Sequence, residues 1–184
     1  MSGEQIKFLS ATCQCGKVAF EVVGAPILAV SCHCTSCRRV GRAFEALPSA
    51  APVLGADGGS HVLLYRKDRV RCVSGLQYLE EYRLKPDSPS RRVLAACCNS
   101  AMFGDFTKGH WLSLYRKRFA AGVPPVEMRI MTRDRGADAV PADDVPSYGG
   151  FPARFLWKLL IAWIAMGFRK SHMGLGRINK SKTL

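Results

Sequence analysis

The spacing of the cysteines constrains the fold and chemistry of this chain more than any other feature. Seven of its eight cysteines form three groups, named here the N-terminal pair (Cys13 and Cys15), the central triplet (Cys32, Cys34 and Cys37) and the adjacent pair (Cys97 and Cys98). Thiolates one or two residues apart can bind the same zinc ion, because the backbone between them forms a tight turn. The spacing therefore predicts a zinc-binding protein.

The first residues do not resemble a secretory signal. Residues 1–7 lack a basic start followed by an apolar stretch and a small-residue cleavage site. We therefore expect a cytoplasmic protein, either free or peripheral to a membrane. In a reducing compartment, clustered cysteines favour metal binding over disulfide bonds. The eighth cysteine, Cys72, lies in the run Val-Arg-Cys-Val, which predicts a strand with a small apolar side chain facing inward.

The central triplet supplies three thiolates within six residues. Three protein ligands leave one position on a tetrahedral zinc ion for water or substrate, as in catalytic sites. A thioredoxin-like redox pair is disfavoured, since it requires neither Cys32 nor a second cysteine group, and no helical pattern clearly follows Cys37. We predict that His33, between two of the predicted ligands, supports them or faces solvent rather than binding the ion.

Short apolar runs between turn-forming residues predict a mainly β domain. Six runs separated by Gly, Pro, Asp and Ser are predicted strands, at residues 17–23, 25–31, 61–65, 69–73, 77–84 and 92–96. A helix is predicted over residues 110–121, because large apolar residues from Trp111 to Phe119 recur there at helical spacing.

The C-terminal region differs in composition from the rest of the chain. We predict a zinc-binding β domain over residues 1–135, a linker or irregular arm rich in Gly, Pro, Ala and Asp over 136–153, and a C-terminal helical tail over 154–184. The net charge is +13, and from residue 151 onward the chain has seven Lys or Arg and no Asp or Glu. The positive charge is therefore concentrated in the tail.

The tail contains an apolar stretch, residues 155–168, that only Lys158 interrupts. It is shorter than the roughly 20 residues that a membrane-spanning helix needs. A helix packed on its own domain or on a second copy is favoured; the alternative is an interfacial helix that binds an anionic membrane through residues 154–170. Nucleic acid is disfavoured as a partner, because residues 1–106 contain no basic and aromatic repeat and no recognisable reading motif.

Three blocks of sequence match a known family in order and spacing. They are Cys13-Gln14-Cys15-Gly16-Lys17-Val18-Ala19-Phe20, Cys32-His33-Cys34-Thr35-Ser36-Cys37-Arg38-Arg39 and Cys98-Asn99-Ser100. Together they resemble the glutathione-dependent formaldehyde-activating enzyme family, which includes the centromere protein V group. The resemblance implies an Mss4-like β-tent fold with two zinc sites: a structural one from the first and last blocks and a catalytic one from the central block, where the glutathione thiol takes the open position.

The third block departs from the family pattern. The family has Cys-x-x-Cys-Gly-Ser there, and this chain has Ala95 where the first of those cysteines belongs. The resemblance therefore assigns Cys13, Cys15 and Cys98 to the structural site and leaves its fourth ligand open. Cys97 is one alternative, although adjacent cysteines chelate one ion only through a strained ring; water is a second alternative, and a weak or empty site is a third. We expect one or two zinc ions per chain.

The resemblance implies a zinc-dependent enzyme of the carbon–sulfur lyase type, which acts on an adduct of a thiol, glutathione, with a small aldehyde. The alternative is a non-catalytic zinc-binding module for a protein, membrane or nucleic-acid partner. The sequence leaves open whether the protein is an enzyme; zinc stoichiometry and a thiol-dependent aldehyde assay discriminate between the two. His33 and His110 are candidate general bases, and neither is assigned.

Overall fold

The computed structural model describes residues 8–135, 143–169 and 178–183. Within these ranges the strands are β1 Phe8–Thr12, β2 Ala19–Val23, β3 Leu28–Cys32, β4 Ser60–Arg66, β5 Val70–Ser74, β6 Leu79–Arg83, β7 Ser90–Ala95, β8 Ser100–Phe106, β9 Trp111–Tyr115, β10 Met128–Ile130 and β11 Asn179–Thr183. The α-helices are α1 Thr35–Glu45 and α2 Ala153–Ile164. The predicted fold class, mainly β with a C-terminal helix, is confirmed.

The strands form two sheets. The small sheet has the order β1-β2-β5, and the large sheet has the order β10-β3-β4-β9-β8-β7-β6-β11. The two edge strands of the large sheet, β10 and β11, run parallel to their neighbours β3 and β6, whereas the inner strands pair antiparallel. The six strands predicted from apolar runs correspond to β2 through β7.

Strand β4 is apolar along its length because both of its faces are buried. Leu63 packs in a core cluster with Phe20 of the small sheet. Its neighbour Leu64 packs in a second cluster with Phe44 of α1 and Phe155 of α2. Successive side chains of a strand point to opposite faces. One face of the large sheet therefore packs against the small sheet, and the other packs against the two helices.

The helix predicted over residues 110–121 is wrong, because Trp111–Tyr115 forms β9. Leu112 and Leu114 are fully buried in the cluster shared with the small sheet. Tyr115 lies on the other face and is buried beside the helices. A strand with apolar residues on both faces can satisfy a helical pattern as well as a strand pattern, which explains the error.

Helix α1 begins inside the central triplet, where the sequence predicts no helix. The Cys34 side chain acts as its N-cap, because Cys34 Sγ accepts a hydrogen bond from the Cys37 amide at 3.4 Å. Val40 and Phe44, four residues apart on one helix face, are buried in the core. The helix thus fixes the direction in which the chain leaves the triplet.

The described part of the predicted arm, residues 143–153, lies against the large sheet. Arg129 of β10 donates its amide to the Pro146 carbonyl at 2.8 Å, and the Tyr148 amide donates to the Arg129 carbonyl at 2.9 Å. The remainder of the predicted arm, residues 136–142, and residues 170–177 of the predicted tail lie outside the described residues.

Helix α2 packs on the domain through one face. Phe155 and Leu159 are buried in the second core cluster, and Lys158 Nζ lies 2.7 Å from Glu127 Oε2. The opposite face is apolar and exposed, through Trp157, Leu160, Ile161 and Ile164. Leu156 and Trp163 lie between the two faces: both are partly exposed, Leu156 lines the cavity described below, and Trp163 contacts His110. Among the described residues, no helix is both long enough and apolar enough to cross a membrane.

Candidate metal centres and the adjoining pocket

The N-terminal pair and the adjacent pair meet in one four-cysteine cluster. The distances between sulfur atoms are 3.6 Å for Cys13 and Cys15, 3.8 Å for Cys13 and Cys97, 3.4 Å for Cys15 and Cys97, and 3.9 Å for Cys97 and Cys98. Four sulfurs arranged tetrahedrally at about 2.3 Å from zinc lie roughly 3.8 Å apart. The thiols therefore fit one zinc ion, and Cys97 lies inside the cluster beside Cys98.

Two hairpin turns, one between β1 and β2 and one between β7 and β8, position this cluster. Asn99 holds a left-handed φ of 52° in the second turn, a conformation that Asn adopts more readily than most residues. The Val18 amide donates to Cys13 Sγ at 3.2 Å, and Ser100 Oγ lies 3.2 Å from Cys98 Sγ. Burial raises the pKa of Cys98, but hydrogen bonds, chiefly with Ser100, outweigh it and lower that pKa to about 6. The surroundings thus favour a thiolate.

The central triplet forms a second cluster at the junction of β3 and α1. Cys32 is the last residue of β3, and Cys34 and Cys37 lie at the N-terminus of α1. The three sulfur atoms lie within 4.8 Å of one another, and among the described residues no fourth Cys, His, Asp or Glu completes the group. The positive end of the helix dipole favours thiolates at this position. The triplet can hold a metal ion with one coordination position left open.

Arg92 of β7 places a cation beside the triplet. Its Nη2 lies 3.7 Å from Cys37 Sγ. Hydrogen bonds from Cys32 and Cys34, followed by the charge of Arg92, hold the pKa of Cys37 well below its usual range. Opposite Arg92 in the sheet is Gly104, where an added Cβ would come within 3.3 Å of the arginine Cδ and Nε. The glycine thus leaves the space that the Arg92 side chain occupies.

His33 is fully buried, so the predicted solvent-facing alternative is wrong. Its Nε2 lies 3.2 Å from Ser31 Oγ and 3.4 Å from Asp57 Oδ2. Asp57 also accepts a hydrogen bond from Ser31 at 2.8 Å and contacts His61 Nε2 at 2.8 Å. Burial opposes ionisation of Asp57, but the hydrogen bonds from His33, His61 and Ser31 hold its pKa well below the usual range. Because Ser31 and His33 flank Cys32, these contacts hold the backbone on both sides of this cysteine in place.

A cavity of about 430 Å³ opens beside the central triplet, between the large sheet and α2. All three cysteines of the triplet line it. The large sheet contributes apolar side chains together with six polar ones, those of Ser60, Ser90, Arg92, Asp105, Ser113 and Tyr115. The C-terminal region contributes four apolar side chains, Phe151, Phe155, Leu156 and Leu159, which are named here the roof. Neither of the candidate bases, His33 and His110, is among its described lining residues.

Sequence reasoning missed Arg92, Tyr115 and the roof. Arg92 belongs to the run Ser90-Arg91-Arg92-Val93, in which nothing distinguishes it from Arg91. Arg91 forms ion pairs of 2.8 Å with Glu81 and Asp105, away from the triplet. Adjacent residues of a strand point to opposite faces of the sheet, so only one of the two arginines can face the triplet. Choosing between them requires knowing which face of β7 carries the triplet.

The comparisons with known proteins match the N-terminal part of the chain. Residues 8–53 match the model of the family described as glutathione-dependent formaldehyde-activating enzyme. This segment contains the N-terminal pair and the central triplet. Over these residues, the match confirms the resemblance that the cysteine blocks indicate. The adjacent pair lies outside it. The family match and the two cysteine clusters fit a zinc-binding domain of this type.

Curated proteins provide no match to this chain. A solved structure of a Rhodobacter sphaeroides protein is similar, with 20% sequence identity and a TM-score of 0.46. The similarity covers 76% of this chain and 99% of that one.

Proposed function

Since residues 8–53 match the glutathione-dependent formaldehyde-activating enzyme family, we propose that this chain is a zinc-dependent enzyme of the carbon–sulfur lyase type. Its substrate is the adduct of a thiol with an aldehyde, with glutathione as the thiol. The observation that carries the proposal is the position of the central triplet: its three thiols line a cavity, and none of the residues that the structure describes adds a fourth ligand. A site with an open position is suited to binding a substrate sulfur.

The cleavage needs no oxidant. In an adduct R–S–CH(OH)–R′, the carbon–sulfur bond breaks and its electron pair stays on sulfur. The O–H electron pair becomes the second bond of the carbonyl group, and the hydroxyl proton leaves to solvent or to the released thiolate. The reverse direction adds a thiolate to an aldehyde. When bound by Cys32, Cys34 and Cys37, zinc would acidify the thiol and stabilise its thiolate.

Arg92 and Tyr115 are the residues placed to contact the oxygen of the adduct. Both line the cavity, and Arg92 lies 3.7 Å from Cys37 Sγ. Negative charge develops on this oxygen in both directions of the reaction, when a thiolate adds to the carbonyl group and when the adduct breaks down to it. A preorganised cation in a site with little water stabilises such charge. Burial raises the pKa of Tyr115, so its hydroxyl stays protonated and can donate a hydrogen bond.

Zinc analysis combined with an adduct-cleavage assay tests this proposal. We expect two zinc ions per purified chain, with one lost and cleavage abolished in Cys32→Ser, Cys34→Ser or Cys37→Ser. Cys72→Ser is the matched control, because Cys72 lies in β5 outside both clusters, and it should keep both ions and full activity. Full zinc retention or undiminished cleavage in the triple serine variant of the central triplet overturns the proposal.

A second role is favoured by the outer face of α2. We propose that it binds an anionic membrane surface in the interfacial orientation, because Trp157 and Ile161 are 60% and 48% exposed and Arg154 is exposed beside them. Self-association through the same apolar face is the alternative that the test below distinguishes.

Vesicle sedimentation tests this second role. The full chain should bind vesicles that contain anionic phosphatidylglycerol, less so at high salt, and a Trp157→Ser, Ile161→Ser double variant should bind weakly. Phe8→Ser is the control, because Phe8 is 61% exposed on β1. The membrane role is contradicted if the full chain does not bind these vesicles. If the full chain is also a dimer and the double variant is a monomer, the result supports self-association.

A further inference from the structure

The cavity has two chemically different parts. Polar contacts concentrate at the central triplet: Ser60 Oγ lies 3.4 Å from the Cys37 carbonyl oxygen, Arg92 lies beside the Cys37 sulfur, and Tyr115 interacts with Arg92. The rest of the lining is mostly apolar side chains of the large sheet and α2, including Leu64, Trp111, Phe155 and Leu159, and it also contains Ser90, Asp105 and Ser113. The reacting atoms of a ligand would therefore lie among polar groups, and the rest of the ligand would lie among mostly apolar side chains.

The apolar part does not suit a charged group. Besides the triplet, only Arg92 and Asp105 carry charge among the described lining residues. Asp105 already forms ion pairs of 2.8 Å with Lys67 and Arg91, and Arg92 lies at the triplet end of the cavity, 3.7 Å from Cys37 Sγ, where the oxygen of the adduct is assigned. An additional buried charge would lose its hydration without a partner. The carboxylates of a peptide thiol are therefore expected at the mouth of the cavity, outside its apolar part.

The cavity is also far larger than a one-carbon aldehyde. Its volume is about 430 Å³, whereas an apolar protein cavity of roughly 150 Å³ already accommodates benzene. Phe151, Phe155, Leu156 and Leu159 form the roof, and all four lie beyond the segment 8–53 that matches the family. Lys158 holds the helix to Glu127 at 2.7 Å. The roof is therefore a feature of this chain's own C-terminal region.

From these observations we infer that the substrate's aldehyde part is apolar and several carbons long, either an alkyl chain or an aryl group, and that Leu156 and its neighbours in the roof select it. The inference rests on the proposed function, because the central triplet sets where the sulfur of the adduct lies. The apolar group occupies the space between the large sheet and α2, and the thiol part extends toward solvent.

Binding of straight-chain alcohols tests the inference without relying on catalysis. Calorimetry with the zinc-loaded full chain and the series 1-butanol, 1-hexanol and 1-octanol should show affinity rising roughly fourfold for each methylene group buried. Leu156→Ser should weaken 1-octanol binding by tenfold or more and 1-butanol binding much less. Val73→Ser, which removes a 44% exposed aliphatic side chain from β5 outside the cavity, should leave both affinities unchanged.

Cleavage of the glutathione adducts of formaldehyde, butanal and octanal completes the test, with kcat/KM expected to rise along the series. Equal kcat/KM for all three adducts, with alcohol binding independent of chain length, overturns the inference and leaves the lyase proposal standing. Binding that depends on chain length and on Leu156, with no adduct cleaved, supports the apolar ligand class and overturns the lyase proposal. Binding that Leu156→Ser and a Phe151→Ser variant both leave unchanged excludes the roof as the selecting element.

Discussion

The ring of His110 stacks on the ring of Trp163, with centroids 5.8 Å apart and an angle of 6° between the planes. His110 lies just before β9, and Trp163 lies near the end of α2. A ring N–H of His110 also donates a hydrogen bond to the backbone carbonyl of Leu159. The turn between β8 and β9 thereby holds the helix that roofs the cavity.

Acid should weaken this attachment. Burial lowers the pKa of His110, and Lys67 and Arg66 act in the same direction, against the Leu159 backbone and Asp68. An unfolded histidine ionises near pH 6.5, so the unfolded state binds the proton first. The stability contributed by neutral His110 is present above about pH 6.5 and is lost as the pH falls from there toward the lower pKa of the folded state.

Denaturant unfolding of the wild type and of His110→Phe at pH 7.5 and at pH 5 measures this effect. The variant keeps an aromatic ring against Trp163 and cannot be protonated. We expect the free energy of unfolding to fall less in the variant than in the wild type over this interval, while loss of zinc in acid affects both proteins alike. An equal fall in both proteins assigns the pH dependence to other groups.

Cys97 should behave as a structural ligand. Its sulfur lies 3.4 Å from that of Cys15 and 3.8 Å from that of Cys13, so Cys97→Ser should reduce the zinc content from two ions to one and lower the melting temperature. Because binding of a structural zinc is coupled to folding, we expect a loss of several kcal/mol. Metal analysis and calorimetry check both effects, with Cys72→Ser as control. Two retained ions in Cys97→Ser would show that another group completes the tetrahedron.

Asp57→Asn should destabilise the fold and loosen the central triplet. The carboxylate contacts His33 and His61 and lies 3.3 Å from Arg129 Nε. Arg129 keeps its ion pair with Asp143, so the cost comes from the weakened hydrogen bonds of the buried Ser31 and His33, and we expect a loss of about 1–3 kcal/mol. Asp68→Asn is a suitable control, since its pair with Arg66 is more exposed and should contribute about 0–1 kcal/mol. Urea unfolding and zinc titration give the two readouts.

Arg92→Met should reduce adduct cleavage while zinc stays bound. The methionine fills much of the same space but provides neither the charge nor the hydrogen-bond donors that the oxygen of the adduct requires. Loss of one preorganised donor to a developing negative charge typically lowers kcat about 100- to 1,000-fold. Arg92→Lys keeps the charge and loses the planar guanidinium group, so its kcat should lie between those of the wild type and of Arg92→Met. Wild-type turnover in Arg92→Met excludes Arg92 from stabilising this oxygen.

The central triplet could be identified from sequence because its members lie within six residues, so local backbone geometry alone brings them together. The position of Cys97 could not. Adjacent cysteines have alternative side-chain directions, and the choice depends on how two hairpin turns from different sheets meet. Once they meet, the sulfurs of Cys97 and Cys98 lie 3.9 Å apart within one cluster.

The two helical errors have opposite physical causes. β9 carries apolar residues on both faces, since Leu112 is buried toward the small sheet while Trp111 lines the cavity. Its pattern therefore also fits a helix. α1 shows few apolar residues, with only Val40 and Phe44 as large buried side chains, and its N-cap is a cysteine in place of a more common capping residue. Burial on both faces in the folded protein makes residues 111–115 a strand. The Cys34 cap, which also belongs to the central triplet, starts helix α1.

The roof of the cavity is also the last of its walls to be synthesised. A ribosome makes Cys32, Cys34 and Cys37 and the strands β3 to β9 around them before it reaches Phe151. The wall on the side of α2 is therefore the last one that the chain can complete. Because the thiol part of a bound adduct extends toward solvent, docking of α2 narrows access to the triplet and leaves the mouth of the cavity as the path to it.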